Sequence, residues 1–93
     1  MGVLRNSATT DDNLHESIIM LIDVRTKEEY ENAHHEAAVN IPLDEIENHT
    51  FDNALDTEMV LYCRSGARAI YAKDILEKRG FTNVSLLNGM GAY

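Results

Sequence analysis

Short apolar runs alternate along this chain with segments in which apolar residues recur at helical spacing. Residues 18–22 form a continuous apolar run rich in β-branched side chains, which is typical of a strand buried on both faces. Similar runs at residues 38–41, 58–62 and 84–87 predict three further strands. The pattern therefore favours a sheet whose strands are separated by other elements.

Between the first two strands, the sequence contains a helix start signal. Thr26 and Glu29 have the spacing of a capping box, which predicts a short helix that ends at about Ala33. After the second strand, Asp44 is expected to cap a helical turn that runs through Glu47. Both helical segments are short enough to serve as connections between strands.

The longest helical pattern follows the third strand. Gly80 is expected to end it as a left-handed cap, because glycine adopts that conformation without strain. The apolar positions that define the pattern are Ala69, Ala72, Ile75 and Leu76. In the polar stretch that precedes the third strand, Phe51 and Leu55 are expected to anchor the chain in the core.

This order of elements predicts an α/β fold with a mostly parallel central sheet flanked by helices on both faces. We expect residues 1–17 to form a polar segment and residues 18–93 to form a single domain. In such sheets, ligands bind beyond the carboxyl ends of the strands. The residues that follow each strand are therefore the first candidates for a functional site.

Charge narrows the range of partners. The 93 residues include 16 acidic and 8 basic side chains, for a net charge of −8, so nucleic acid and anionic membranes are disfavoured as partners. No apolar run reaches membrane-span length, and the first 17 residues lack the features of a signal peptide. We expect a cytoplasmic protein, or a periplasmic one if the chain is the mature form of an exported protein.

The strongest candidate for chemistry is Cys63, the only cysteine, which lies where the third strand gives way to the long helix. Orphan N–H groups and the positive end of the helix macrodipole favour a thiolate at such a junction, as do nearby Arg64 and Arg68. Gly66 fits a tight anion cradle, and Arg68 is expected either to bind an incoming anion or to hold the shape of the loop. A cysteine at a strand end is also often an inert core residue, but the polar residues that follow this one favour a reactive thiol.

Two other groups of residues are site candidates. Asp23 and Arg25, at the end of the first strand, are expected to support the cysteine loop from behind by ion pairing, with Glu29 as one suggested partner of Arg25. His34, His35 and Glu36 resemble metal ligands, but adjacent side chains do not face one way. We therefore expect no metal site.

Several segments together resemble a single-domain rhodanese, and the subgroup that they suggest is the compact phage-shock protein E type. They occur in the family's order, from the first strand to the last: Leu21-Ile22-Asp23-Val24-Arg25, Glu28-Glu29-Tyr30, His34, Ala38-Val39-Asn40-Ile41-Pro42, Val60-Leu61-Tyr62-Cys63-Arg64-Ser65-Gly66 and Gly80-Phe81-Thr82-Asn83-Val84. Their coincidence is far more specific than any single motif. The resemblance covers residues 18–93, which is most of the chain.

This resemblance implies a thiosulfate sulfurtransferase that needs no cofactor. Cys63 would take sulfane sulfur from a small anionic donor such as thiosulfate, become a persulfide, and pass the sulfur to cyanide, a thiol or a sulfur-relay protein. The residues expected to bind the donor are those that follow the cysteine: Arg64, Ser65, Gly66, Ala67 and Arg68.

Other functions remain open on the same residues. The chain could be a sulfur carrier or a regulatory binding module with little turnover of small donors. A cysteine-based phosphatase or arsenate reductase is less favoured, because the related enzymes of those classes have a loop one residue longer. A six-residue loop, from Cys63 to Arg68, suits one sulfur atom better than a tetrahedral oxyanion.

Overall fold

The computed structural model describes residues 19–87, and within them four strands alternate with three helices. The strands are β1 (Ile19–Asp23), β2 (Ala38–Asn40), β3 (Glu58–Tyr62) and β4 (Val84–Leu86). The helices are α1 (Lys27–Asn32), α2 (Leu43–Ile46) and α3 (Ala67–Lys78). The expectations for residues 1–17, for Ile18 and for the last residues of the domain lie outside the described part of the chain.

The four strands form one parallel sheet in the order β2-β1-β3-β4. Its register places Asp23, at the end of β1, opposite both Asn40 of β2 and Tyr62 of β3. The Asn40 side-chain amide also donates to the backbone oxygens of Asp23 and Arg25, each at 3.0 Å. The carboxyl ends of the three strands therefore lie level at one edge of the sheet.

The core lies against one face of this sheet. Cross-strand neighbours share a face, and the register brings together Met20 with Met59 and Val84 in one row and Ile22 with Leu61 and Leu86 in the next. Each of these six side chains belongs to the core cluster or packs against it. The same cluster holds Ile46 of α2 and three residues of α3, namely Ala69, Ala72 and Leu76.

Connection direction explains where the helices lie. Helix α1 connects β1 to β2 in one direction across the sheet. Helix α2, which connects β2 to β3, and helix α3, which connects β3 to β4, cross it in the opposite direction. Right-handed crossovers consequently place α1 on one face and α2 and α3 together on the other. The predicted α/β sheet with helices on both faces is confirmed.

The sequence pattern predicted the ends of most strands and helices to within one residue of those observed. In the capping box, the Glu29 N–H donates to Thr26 Oγ1 at 3.2 Å and the Thr26 N–H donates to Glu29 Oε1 at 3.0 Å, as predicted. Helix α1 ends at Asn32, and Ala33 is its C-cap. Phe51 packs against the core, also as predicted.

Two local predictions were wrong. Asp44 does not cap α2, because the helix begins at Leu43, with Pro42 at the cap position and no side-chain hydrogen bond there. The first N–H of the helix, that of Leu43, instead donates to the Val24 carbonyl at 3.0 Å. Leu55 is not a buried anchor, since it is 54% exposed.

Gly80 ends α3 in the left-handed region, with φ of 105°. We expect Gly80→Ala to lower the free energy of unfolding by about 1–2 kcal/mol, because a Cβ disfavours this conformation. A steric clash is not the cause, because an added Cβ would lie 3.8 Å from the Leu55 side chain. Urea denaturation measures the change. Gly80→Asn should cost less, since asparagine tolerates positive φ, and equal stability of the alanine variant and the wild type would contradict the prediction.

Candidate functional site

The candidate site lies where the chain leaves β1 and β3 at the same edge of the sheet. Asp23 and Tyr62 are cross-strand partners, and the next residues, Val24 and Cys63, remain in the core. The Val24 N–H continues the ladder by donating to the Tyr62 carbonyl at 3.1 Å. The loop after the third strand is thereby attached to the segment after the first.

Cys63 has no exposed surface, and its sulfur is held by the loop that follows it. The Gly66 N–H donates to Cys63 Sγ at 3.0 Å. Gly66 adopts φ of 96° and is the N-cap of α3, which begins at Ala67. The sulfur therefore lies beside a backbone donor at the N-terminus of a twelve-residue helix.

The residues after Cys63 divide into buried and exposed positions. Gly66 is buried, whereas Ser65 and Ala67 are exposed. The Arg64 side chain is 64% exposed, and its Nε lies 3.7 Å from Glu29 Oε2. Among the predicted donor-binding residues, Arg64 and Ser65 thus present the polar groups that solvent reaches most freely.

Arg68 is joined to Glu29 of α1. Its Nη1 and Nη2 donate to Glu29 Oε1 and Oε2 at 2.7 and 3.1 Å, which is a bidentate pair. This hydrogen bonding raises the pKa of Arg68, and the charges of Glu29 and Cys63 act in the same direction. Of the two roles expected for Arg68, the geometry supports holding the loop, since its guanidinium already has an anionic partner.

Glu29 lies within ion-pair distance of both Arg64 and Arg68, and these three side chains form the rim of the site. The Arg68 hydrogen bonds, followed by the backbone hydrogen bond from Thr26, lower the pKa of Glu29 to about 2. Glu29 is therefore ionised throughout the neutral range. Sequence reasoning recognised it as a capping residue and as a suggested partner of Arg25, but missed its contacts with the cysteine loop.

Asp23 and Arg25 form a buried ion pair behind the site. Arg25 Nη2 donates to Asp23 Oδ2 at 2.7 Å and to the Ala33 carbonyl at 2.6 Å, while Arg25 Nε donates to Asp23 Oδ1 at 3.0 Å. This agrees with the expectation that the two residues fix loops by ion pairing, although the partner found for Arg25 is Asp23. Burial raises the pKa of nearby Tyr62 to about 12, and its hydroxyl accepts the His35 N–H at 3.0 Å. The loop after β1 and the turn before β2 are thus tied to β3.

A pocket of about 230 Å³ opens beside the cysteine loop. Val24, one of its lining residues, belongs to the same packed cluster as Cys63, and Arg68 forms another part of the wall. The remaining lining residues are Thr26, Pro42, Leu43 and Asp44. Sequence reasoning missed these residues, although each follows a predicted strand, where ligand sites of α/β sheets are expected.

Residues 19–87 show neither a metal-binding cluster nor a membrane-spanning helix. No group of three or more His, Cys, Asp or Glu side chains in that range is arranged to hold a metal ion. No helix in the same range combines the length and apolar character that a bilayer crossing requires.

Comparisons with known proteins agree on one family. The family model of the rhodanese-like domain matches residues 7–90. Thiosulfate sulfurtransferase PspE of Escherichia coli is 35% identical over 71 residues, which cover 74% of this chain and 68% of that protein. YrkF of Bacillus subtilis, named as a sulfur carrier protein, is 39% identical over 64 residues, or 69% of this chain and 35% of the relative.

A solved structure shares the fold at similar identity. The structure titled "rhodanese with anions from E. coli" superposes with a TM-score of 0.68 at 34% identity, over 73% of this chain and 82% of that one. Among the curated relatives, the chain spans 68% of PspE but only 35% of YrkF.

The Glu29 carboxylate should make the free energy of unfolding depend on pH. Because its pKa falls from the usual 4.5 to about 2 in the folded protein, its stabilising effect is fully present above about pH 4.5 and is lost as the pH falls towards 2. We expect the stability advantage of the wild type over Glu29→Gln to shrink across that window in urea denaturation series. Glu28→Gln serves as the charge-matched control on the same helix. An advantage that stays constant down to pH 2 would contradict the assignment.

Removing Asp23 should be costly, because it leaves the Arg25 guanidinium buried without its carboxylate. We expect Asp23→Ala to lower the free energy of unfolding by about 3–5 kcal/mol. Asp74→Ala, which removes an exposed ion pair with Lys78 on α3, should have little effect. Thermal and urea denaturation of both variants test the contrast, and similar losses for the two would argue against a special role of the buried pair.

Proposed function

This chain belongs to the rhodanese-like domain family of sulfurtransferases and sulfur carriers, and from that premise we propose that it transfers sulfane sulfur through a persulfide on Cys63. The observation that carries the proposal is the 3.0 Å hydrogen bond from the Gly66 N–H to Cys63 Sγ at the start of α3. A backbone donor at a helix N-terminus stabilises both the attacking thiolate and the persulfide anion that replaces it.

In the proposed first step, the Cys63 thiolate attacks the outer sulfur of a donor such as thiosulfate. A new bond forms between Sγ and that sulfur while the donor's S–S bond breaks, and its electron pair leaves on sulfite. The cysteine thiolate and the thiosulfate dianion carry three negative charges, as do the persulfide and sulfite that they form. Neither a metal nor a redox cofactor is needed for this exchange.

In the second step, an acceptor takes the sulfur and restores the thiolate. Cyanide attacks the outer sulfur of the persulfide and leaves as thiocyanate, whereas a thiolate acceptor becomes a persulfide itself. Because Cys63 is wholly covered, both steps require the residues over the sulfur to move aside. The exposed Arg64 and Ser65 and the pocket next to Arg68 are the proposed approach for both substrates.

A sulfur carrier is the second candidate function. It is favoured by the likeness to YrkF, although this chain spans only 35% of that protein. A carrier would hold the same Cys63 persulfide, but it would receive the sulfur from a protein rather than from thiosulfate. The two functions therefore differ in the donor and in turnover, and they share the chemistry at the sulfur.

Incubation with thiosulfate followed by intact-mass measurement tests the proposed enzyme. We expect the wild type to gain the mass of one sulfur atom and then, on addition of cyanide, to release thiocyanate over many turnovers. Cys63→Ser should lose both properties, with a decrease in activity of at least about 1,000-fold, because the nucleophile is absent.

Three outcomes separate the candidate functions. Stable sulfur loading with no turnover would favour the carrier. The absence of any loading from thiosulfate, together with loading from a cysteine desulfurase, would also favour it. Loading of the Cys63→Ser variant to the same extent as the wild type would reject a persulfide on Cys63.

A further inference from the structure

Glu29 holds both arginines of the cysteine loop. One of its oxygens is 2.7 Å from Arg68 Nη1, and the other is 3.1 Å from Arg68 Nη2 and 3.7 Å from Arg64 Nε. The carboxylate is 26% exposed, so it lies at the rim and not in the core. The two cations that an anionic donor would meet are therefore already partly neutralised by a residue of another helix.

The charge at the rim follows from these contacts. Arg64 and Arg68 contribute two positive charges and Glu29 removes one. Since the chain as a whole carries −8, its long-range field also disfavours anions. A donor with two negative charges must compete with Glu29 for the guanidinium groups, whereas a donor with a single charge needs less compensation.

We propose that Glu29 is a specificity-determining residue that disfavours dianionic donors such as thiosulfate relative to monoanionic sulfane-sulfur donors of the alkyl thiosulfonate class. The inference rests on the proposed function, because it concerns donor choice at the same sulfur. The ionisation of Glu29 supports the proposal, because its low pKa keeps the carboxylate charged at every pH at which the reaction would run.

Methanethiosulfonate and thiosulfate form a matched pair of probes. Both carry the transferable sulfur on a sulfonyl sulfur, and a methyl group in one replaces a charged oxygen in the other. Attack by the Cys63 thiolate breaks the same S–S bond in each, and it releases methanesulfinate or sulfite with the electron pair. The thiolate and methanethiosulfonate together carry two negative charges, as do their products. The thiolate and thiosulfate carry three, as do theirs.

The test compares kcat/KM for the two donors in the wild type and in Glu29→Gln. Glutamine keeps an oxygen for the Thr26 cap, so the variant removes the charge and preserves the helix start. We expect the thiosulfate to methanethiosulfonate ratio to rise about 3- to 10-fold, which is the size of effect expected for one unit charge near the surface. The rise should shrink as ionic strength increases.

Two controls separate charge at this position from other effects. Glu29→Asp keeps the charge and should leave the ratio within about twofold of the wild type. Glu28→Gln removes the same charge one residue away and should also leave it unchanged. A ratio that does not rise in Glu29→Gln, or that rises equally in Glu28→Gln, would overturn the proposal.

A measurement on the wild type keeps the proposal testable if the variants fold poorly. Sulfate and methanesulfonate, the unreactive analogues of the two donors, should inhibit with similar constants if Glu29 offsets the second charge. Inhibition by sulfate that is more than about tenfold stronger would overturn the inference. If neither donor loads sulfur onto wild-type Cys63, the proposed transfer from small-molecule donors fails, whereas loading from both with an unchanged ratio rejects only the role of Glu29.

Discussion

The parallel pairing of β1 with β3 is the constraint on which the site depends. It sets Asp23 beside Tyr62, so the chain leaves both strands at one edge and at one level. Cys63 follows β3 on the core face, because side chains alternate along the strand and Met59 and Leu61 already face inwards. A slip of one residue would turn the cysteine to the other face and separate its loop from the segment after β1.

Two ion pairs lie at this edge, and their surroundings suit them to different tasks. Asp23 and Arg25 are buried, and the guanidinium also donates to a backbone carbonyl, so the pair is satisfied inside the protein. Arg68 and Glu29 are 33% and 26% exposed, and they join α3 to α1 across the mouth of the site. The first pair can fix the fold without meeting any ligand, while the second lies where an approaching ion would compete with it.

Features encoded by neighbouring residues could be predicted, and features that need the assembled sheet could not. The capping box of Thr26, the left-handed Gly80 and the junction at Cys63 each depend on a few consecutive residues, and they occur as expected. The contact of Glu29 with Arg68 spans 39 positions, and it exists only because β1 and β3 are adjacent. The prediction that Leu55 is buried was wrong, because the sequence of a polar loop does not show whether an apolar side chain in it faces the core or the solvent.

Complete burial of Cys63 at first favours the inert alternative, yet the surroundings of the sulfur argue against it. A core thiol needs no donor, whereas this one receives a backbone N–H from a glycine held at positive φ next to a helix start. A persulfide adds a single atom at the sulfur, and exclusion of water would protect that atom from side reactions. A tetrahedral oxyanion needs several donors and far more space, which a covered sulfur with a six-residue loop does not offer. The same burial that hides the thiol is therefore better suited to carrying one sulfur atom than to hydrolysing a phosphate.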